Sequence, residues 1–186
     1  MASGNGSNFE ALVEATQHQL EANVELLVVN NPQCGAQQRA ERLGIRCLVL
    51  DHRDYGSREA LDQALVSTFR EAGVEAVVMA GWMRIVTPVL IDAFEDRLIN
   101  IHPSLLPSFR GFDAVGQALK AGVWISGCTV HVVTKDVDSG PVILQAAVPV
   151  LATDSHASLS ERIHQQEHQI LPMAVAIKAK DWRTQG

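Results

Sequence analysis

The chain has no long apolar run, few cysteines and no excess of basic residues, and each shortage closes off a class of protein. Its hydrophobic stretches stop well short of the roughly 20 residues that a membrane helix needs, and its N-terminus lacks the charged-then-apolar layout of a secretory signal, so a cytoplasmic protein is expected. Lys and Arg total 15 against 21 Asp and Glu, a formal charge of -6. That balance argues against a general nucleic-acid binder, which presents a basic face to phosphates. An anionic substrate then needs a local site. Cys34, Cys47 and Cys128 are odd in number, far apart and not arranged as a metal knuckle, so free thiols and no metal are expected. Repeats, low-complexity segments and linkers are also missing, and 186 residues that are 47% hydrophobic suit one domain over residues 1–186.

What is present alternates. Residues 24–30, 74–80 and 97–101 are short apolar runs rich in branched side chains, as strands buried on both faces require. Between them, Phe9 to Leu20, Ala36 to Leu43 and Ser57 to Ala72 carry apolar residues at helical spacing, with Gly44 and Gly73 placed as helix stops. Strand and helix in alternation predict an α/β fold, a doubly wound, mostly parallel sheet flanked by helices. Toward the C-terminal end the rhythm changes. Residues 124–133 and 141–150 read as two antiparallel strands joined by a polar turn. A last helix is expected from near Ser158, with Ser158 and Glu161 as a capping box, Leu159, Ile163, Ile170, Ala174 and Ile177 inward, and a kink at Pro172. Only Met1 and Ala2 precede SGNGSN, so the strand that opens such a sheet is expected to be truncated.

Three segments carry chemistry. In SGNGSNFEAL a glycine-rich turn runs into a helix, which aims the amides of Gly6, Ser7 and Asn8 at whatever lies over the helix start, a phosphate or nothing more than a capped turn. The lysine of a P-loop and the third glycine of a dinucleotide fingerprint are absent. In INIHPSLLP at 99–107, Asn100 and His102 stand two apart at the end of a strand, so both side chains share a face and can converge on one carbonyl. Pro103 and Pro107 restrict the loop that follows. In the turn at 135–144, Asp138 is either a turn former or a carboxylate beside His102 that favours the protonated ring. Amide donor, imidazole and carboxylate together suit acyl transfer to an amine: donors meet the oxyanion of a tetrahedral intermediate while the histidine and aspartate move a proton. There is no G-x-S-x-G elbow for a serine nucleophile.

In order along nearly the whole chain, SGNGSN, AGWMRI at 80–85, INIHPSLLP, CTVHVV at 128–133 and DVDSGPVILQ at 136–145 resemble the folate-dependent formyltransferases. The opening GNGSN is similar to the branch that formylates glycinamide ribonucleotide in purine synthesis. The resemblance implies a Rossmann-like fold and catalysis by Asn100, His102 and Asp138. It implies that Gly6, Ser7 and Asn8 hold the substrate phosphate and that Glu167 faces its amine. Arg58, Met83, Arg84, Ile85, Val86 and Asn100 are then the folate-binding positions, 10-formyltetrahydrofolate the co-substrate with no metal, and the enzyme a monomer or homodimer. Read without the resemblance, Met83, Ile85 and Val86 are core and Arg58 a solvated charge. His131 is either a neighbour of the site or a satisfied strand histidine, with the neighbour favoured. GFDAVGQAL at 111–119 lacks histidines that some members carry after this glycine, so no role passes to it. A formyltetrahydrofolate hydrolase would share the trio but needs no phosphate turn, and a binding protein without turnover would need no proton shuttle.

Overall fold

The computed structural model describes residues 1–18 and 20–185. It divides into two compact segments, Met1–Ile99 and Asn100–Gly186.

In the first segment, strand β1 (Leu27–Val29) is fully buried and pairs in parallel with β2 (Cys47–Val49). β2 is partly exposed and three residues long, too short to show a period in the sequence. The place expected for a truncated first strand is occupied. Ala2 bridges Val29 in parallel and donates to Val28 O at 3.1 Å. On its other side the Met1 ammonium donates to Val78 O at 2.7 Å and Ala80 N–H to Met1 O at 2.9 Å, which ties these residues to β3 (Val77–Met79). Met1 and Ala2 thus bond to both β1 and β3.

Helix α1 (Ser7–His18) begins two residues before the expected start, because Gly6 at φ +81° offers its carbonyl to Glu10 N–H. α2 (Gly35–Leu43) ends on left-handed Gly44 as the glycine predicts, and Ser57 caps α3 (Arg58–Glu71) by accepting from Ala60 N–H at 3.1 Å. The short α4 (Pro88–Ala93) has Thr87 as its cap and proline at its first position.

Strand β4 (Leu98–His102) leads into the second segment, where β5 (Ile125–Val132) and β6 (Val142–Pro149) form the expected antiparallel pair; the strand order is β3-β4-β5-β6. The fold is thus a mostly parallel, helix-flanked sheet with an antiparallel pair near its C-terminal end. α5 (Ala114–Ala121) starts from Asp113, itself left-handed, whose carboxylate accepts from Gly116 N–H at 3.0 Å. α6 (His156–Gln185) packs on β5, β6 and α5. Two expectations are corrected there. The cap is Ser155, not Ser158: Ser155 Oγ accepts from Ser158 N–H at 3.2 Å and Ser158 Oγ accepts from Ser155 N–H at 3.0 Å, a reciprocal box closed three residues upstream of Ser158 and Glu161. Leu159, Ile163, Ile170 and Ala174 are buried as expected, but Ile177 is exposed, because the apolar stripe leaves the sheet before the helix ends. Pro172 lies inside the helix, which continues past it.

Candidate active site

Along β4 the alternation puts Asn100 and His102 on one face. Near the end of β5, just past a register shift between Val130 and His131, the His131 ring reaches the same place. Its Nε2 lies 3.2 Å from Asn100 Nδ2 and its Nδ1 lies 2.9 Å from Val132 O. A carbonyl only accepts, so Nδ1 carries a hydrogen, and Nε2 faces the Asn100 amide. That bond orients Asn100, leaving its oxygen and second N–H to face elsewhere.

His102 is held in the same manner. Its Nε2 donates to Phe109 O at 2.8 Å, and its Nδ1 lies 3.3 Å from Asp138 Oδ2. Asp138 in turn accepts from Gly111 N–H at 2.8 Å and places its other oxygen 3.6 Å from His131 Nε2. Burial pushes the Asp138 carboxyl up, but the His131 ring, the Gly111 N–H and the charge of His102 outweigh it and hold the group below its ordinary range. The carboxylate therefore stays ionised between two imidazoles. It does so from a left-handed residue, φ +48°, in the turn before β6.

Thr129 ties the loop after His102 to β5. Thr129 Oγ1, fully buried on β5, donates to Ser104 O at 2.7 Å and accepts from Leu106 N–H at 3.0 Å and from Gln145 Nε2 at 2.9 Å. Sequence reasoning missed Thr129, Gln145 and the backbone of Phe109 and Gly111. Only the glycine offered a signal, since Phe109, Gly111 and Asp113 all have positive φ and such a bend favours glycine.

In the first segment, the SGNGSN turn lies against the start of α2. Ala36 N–H donates to Gly4 O at 3.0 Å, and a Cβ on Gly6 would meet Ala36 Cα at 2.5 Å, so only glycine fits. Arg39 holds Asn5 through its carbonyl at 2.9 Å and its side chain at 2.8 Å, and pairs with Glu10. Ser7 and Asn8 open α1, with Asn8 buried. Arg58 is exposed at the first position of α3. Read as core, Met83 and Ile85 would be inside; they are 77% and 56% exposed, whereas Trp82 and Val86 are buried and Arg84 is half-buried. Glu167 is buried on α6, 3% exposed, with His164 Nε2 at 3.9 Å. Burial, with the Glu167 charge beside it, raises the Cys128 thiol to about 12, and all three cysteines are free. Among the described residues no three His, Cys, Asp or Glu side chains group as metal ligands, and no helix is long and apolar enough to cross a membrane.

The pattern of the formyl transferase family matches residues 1–175. The chain belongs to the formyl transferase family. Phosphoribosylglycinamide formyltransferase of Bacillus subtilis is 41% identical over 175 residues, which cover 94% of this chain and 90% of that protein. The trifunctional purine biosynthetic protein adenosine-3 of Drosophila melanogaster is 43% identical over 180 residues, although the chain spans only 13% of its length. Among solved structures, glycinamide ribonucleotide transformylase 1 from Symbiobacterium toebii superposes with a TM-score of 0.95 at 42% identity, covering 97% of this chain and 85% of that one. A formyl transferase acts on a one-carbon acyl group, and the cluster of Asn100, His102, His131 and Asp138 has the donors and the buried acid-base pair for it.

Proposed function

We propose that this chain is a single formyltransferase domain that moves the formyl group of 10-formyltetrahydrofolate onto the amine of glycinamide ribonucleotide, giving the N-formyl product and tetrahydrofolate in purine biosynthesis. The observation that carries the reading is the ionised Asp138 set between His102 and His131, with Asn100 oriented by His131. Relatives that span nearly the same length and bear this activity in their names support the choice of substrates.

The amine attacks the formyl carbon and a tetrahedral centre forms, its oxygen negative. The Asn100 amide and the His102 ring donate to that oxygen. For His102 the Nε2 bond to Phe109 O must be exchanged for one to substrate. Asp138 accepts the proton that the amine loses, directly or through a water, and its pairing with His102 passes the proton toward the departing folate nitrogen. Gly6, Ser7 and Asn8 receive the phosphate, Glu167 the amine end of the nucleotide, and Arg58, Met83, Arg84, Ile85, Val86 and Asn100 the folate. No covalent enzyme intermediate is required.

The test follows tetrahydrofolate formation by absorbance, with glycinamide ribonucleotide present and then withheld. Turnover only with the amine is expected. His102→Ala is expected to lose about 10²–10³ in kcat, as for loss of a catalytic acid-base group or an oxyanion donor. Turnover without the amine would make the chain a hydrolase, and an unchanged rate in His102→Ala would sink the assignment of the site.

A further inference from the structure

One buried acid takes no part in this chemistry. Asp62, on the inner face of α3, is 3% exposed, and a carboxylate so placed costs stability unless a donor meets it. The donor is the Thr87 N–H, 2.5 Å from Oδ2. Thr87 is the cap of α4 and accepts from Val89 N–H at 3.3 Å. Asp62 therefore fixes the point at which the run 83–86 passes into a helix. The other end of that run is fixed as well: Ser3 Oγ accepts from Met83 N–H at 2.9 Å, and Ser3 N–H donates to Gly81 O at 3.0 Å.

Between the two pins the side chains alternate, Trp82 inside, Met83 outside, Ile85 outside, Val86 inside. Exposed Met and Ile on a backbone clamped at both ends make a prearranged apolar surface. Prearrangement spares a ligand the ordering cost that a loose loop would impose. An apolar residue at position 62 would fill the same space with less desolvation, but it would leave the Thr87 N–H without an acceptor. Burial raises the Asp62 carboxyl and the hydrogen bonds from the Thr87 backbone and side chain pull it back only in part, so the group is kept at a cost to the fold.

We propose that Asp62 is a positioning residue for the folate co-substrate: through Thr87 N–H, with Ser3 at the opposite end, it holds the backbone of residues 83–87 so that Met83 and Ile85 stay presented. This rests on the reading of that run as folate-binding. The experiment uses the full chain with Asp62→Ala, Asp62→Asn and Ser3→Ala. It measures amide hydrogen exchange of the peptide spanning 81–88 together with kcat and the KM of each substrate. In Asp62→Ala, faster exchange is expected in that peptide, with a KM for 10-formyltetrahydrofolate raised about tenfold, the scale of one lost charged hydrogen bond. The KM for glycinamide ribonucleotide and kcat should stay within about twofold. Asp62→Asn keeps an acceptor and should recover most of the loss. Ser3→Ala, at a partly exposed position, should loosen the Met83 end and raise the same KM even if Asp62→Ala fails to fold. Faster exchange with an unchanged folate KM would overturn the folate reading of the run and the inference with it. Unchanged exchange and unchanged KM would overturn the role of Asp62 alone, as would equal rises in both KM values.

Discussion

At His102 each ring nitrogen faces an acceptor, Phe109 O on one side and Asp138 on the other, while at His131 one nitrogen faces a carbonyl and the other faces the Asn100 amide. Two histidines in one cluster thus do different work. His102 offers both ring nitrogens to acceptors, and His131 turns the Asn100 amide through Nε2. His131→Ala should therefore lower kcat by up to about 10²-fold, the cost of a misplaced catalytic group. Steady-state rates settle this, and a kcat equal to that of the parent would mean that Asn100 is oriented by something else. The shared face of Asn100 and His102 was legible in the sequence, because residues two apart on a strand point the same way whatever the strand pairs with. His131 was legible only as one of two readings, since its use depends on which strand lies beside β4 and in what register.

At the scale of elements, the β5–β6 hairpin and the loop after β4 carry the site. Thr129 joins them through two buried hydrogen bonds, to Ser104 O and from Leu106 N–H. Thr129→Val keeps the shape and leaves the Leu106 N–H and Ser104 carbonyl unmet, so stability should fall by about 2–6 kcal/mol at 1–3 kcal/mol for each buried unsatisfied group. Urea unfolding measures it, and a loss below the error of the method would show that water reaches the loop. Gly140 leaves the turn that bears Asp138, and a Cβ there would sit 1.8 Å from Val132 O. Gly140→Ala should cost about 1–3 kcal/mol, as overpacking does, and lower kcat as Asp138 shifts. A parent-like kcat would show that the turn bends without moving the carboxylate. The hairpin was readable from its apolar runs and polar turn. α5 was not, because an eight-residue helix with an internal glycine and a left-handed cap has no periodic signature.

For the whole molecule, the carboxylates that the fold holds below their ordinary range set the acid limb of stability. Asp154 is lowered by Arg162 and the Leu151 N–H, Asp113 by His156 and the Gly116 N–H, and Asp138 by the site that surrounds it. A folded pKa below the unfolded one contributes stability that is present above the unfolded value, about 4, and is lost as pH falls through the folded value. Asp62, raised by burial, runs the other way and is relieved by acid. The melting temperature should thus drop as pH is taken below about 4. Asp154→Asn, which gives up the Arg162 ion pair at 2.8 Å, should show a shallower drop over that range. Equal slopes for parent and variant would show that Asp154 does not contribute to the acid limb.

The sequence by itself determined the alternation of buried strands and helices, the antiparallel pair near the end, the shared face of Asn100 and His102 and the resemblance to formyltransferases, because each rests on a local period or a contiguous motif. Tertiary structure alone decided that Met1 and Ala2 bond to both β1 and β3, and that Phe109, Gly111, His131 and Asp138 close around His102. Those outcomes depend on backbone hydrogen bonds and strand register between residues distant in the chain, and no local pattern of side chains encodes which partners will meet.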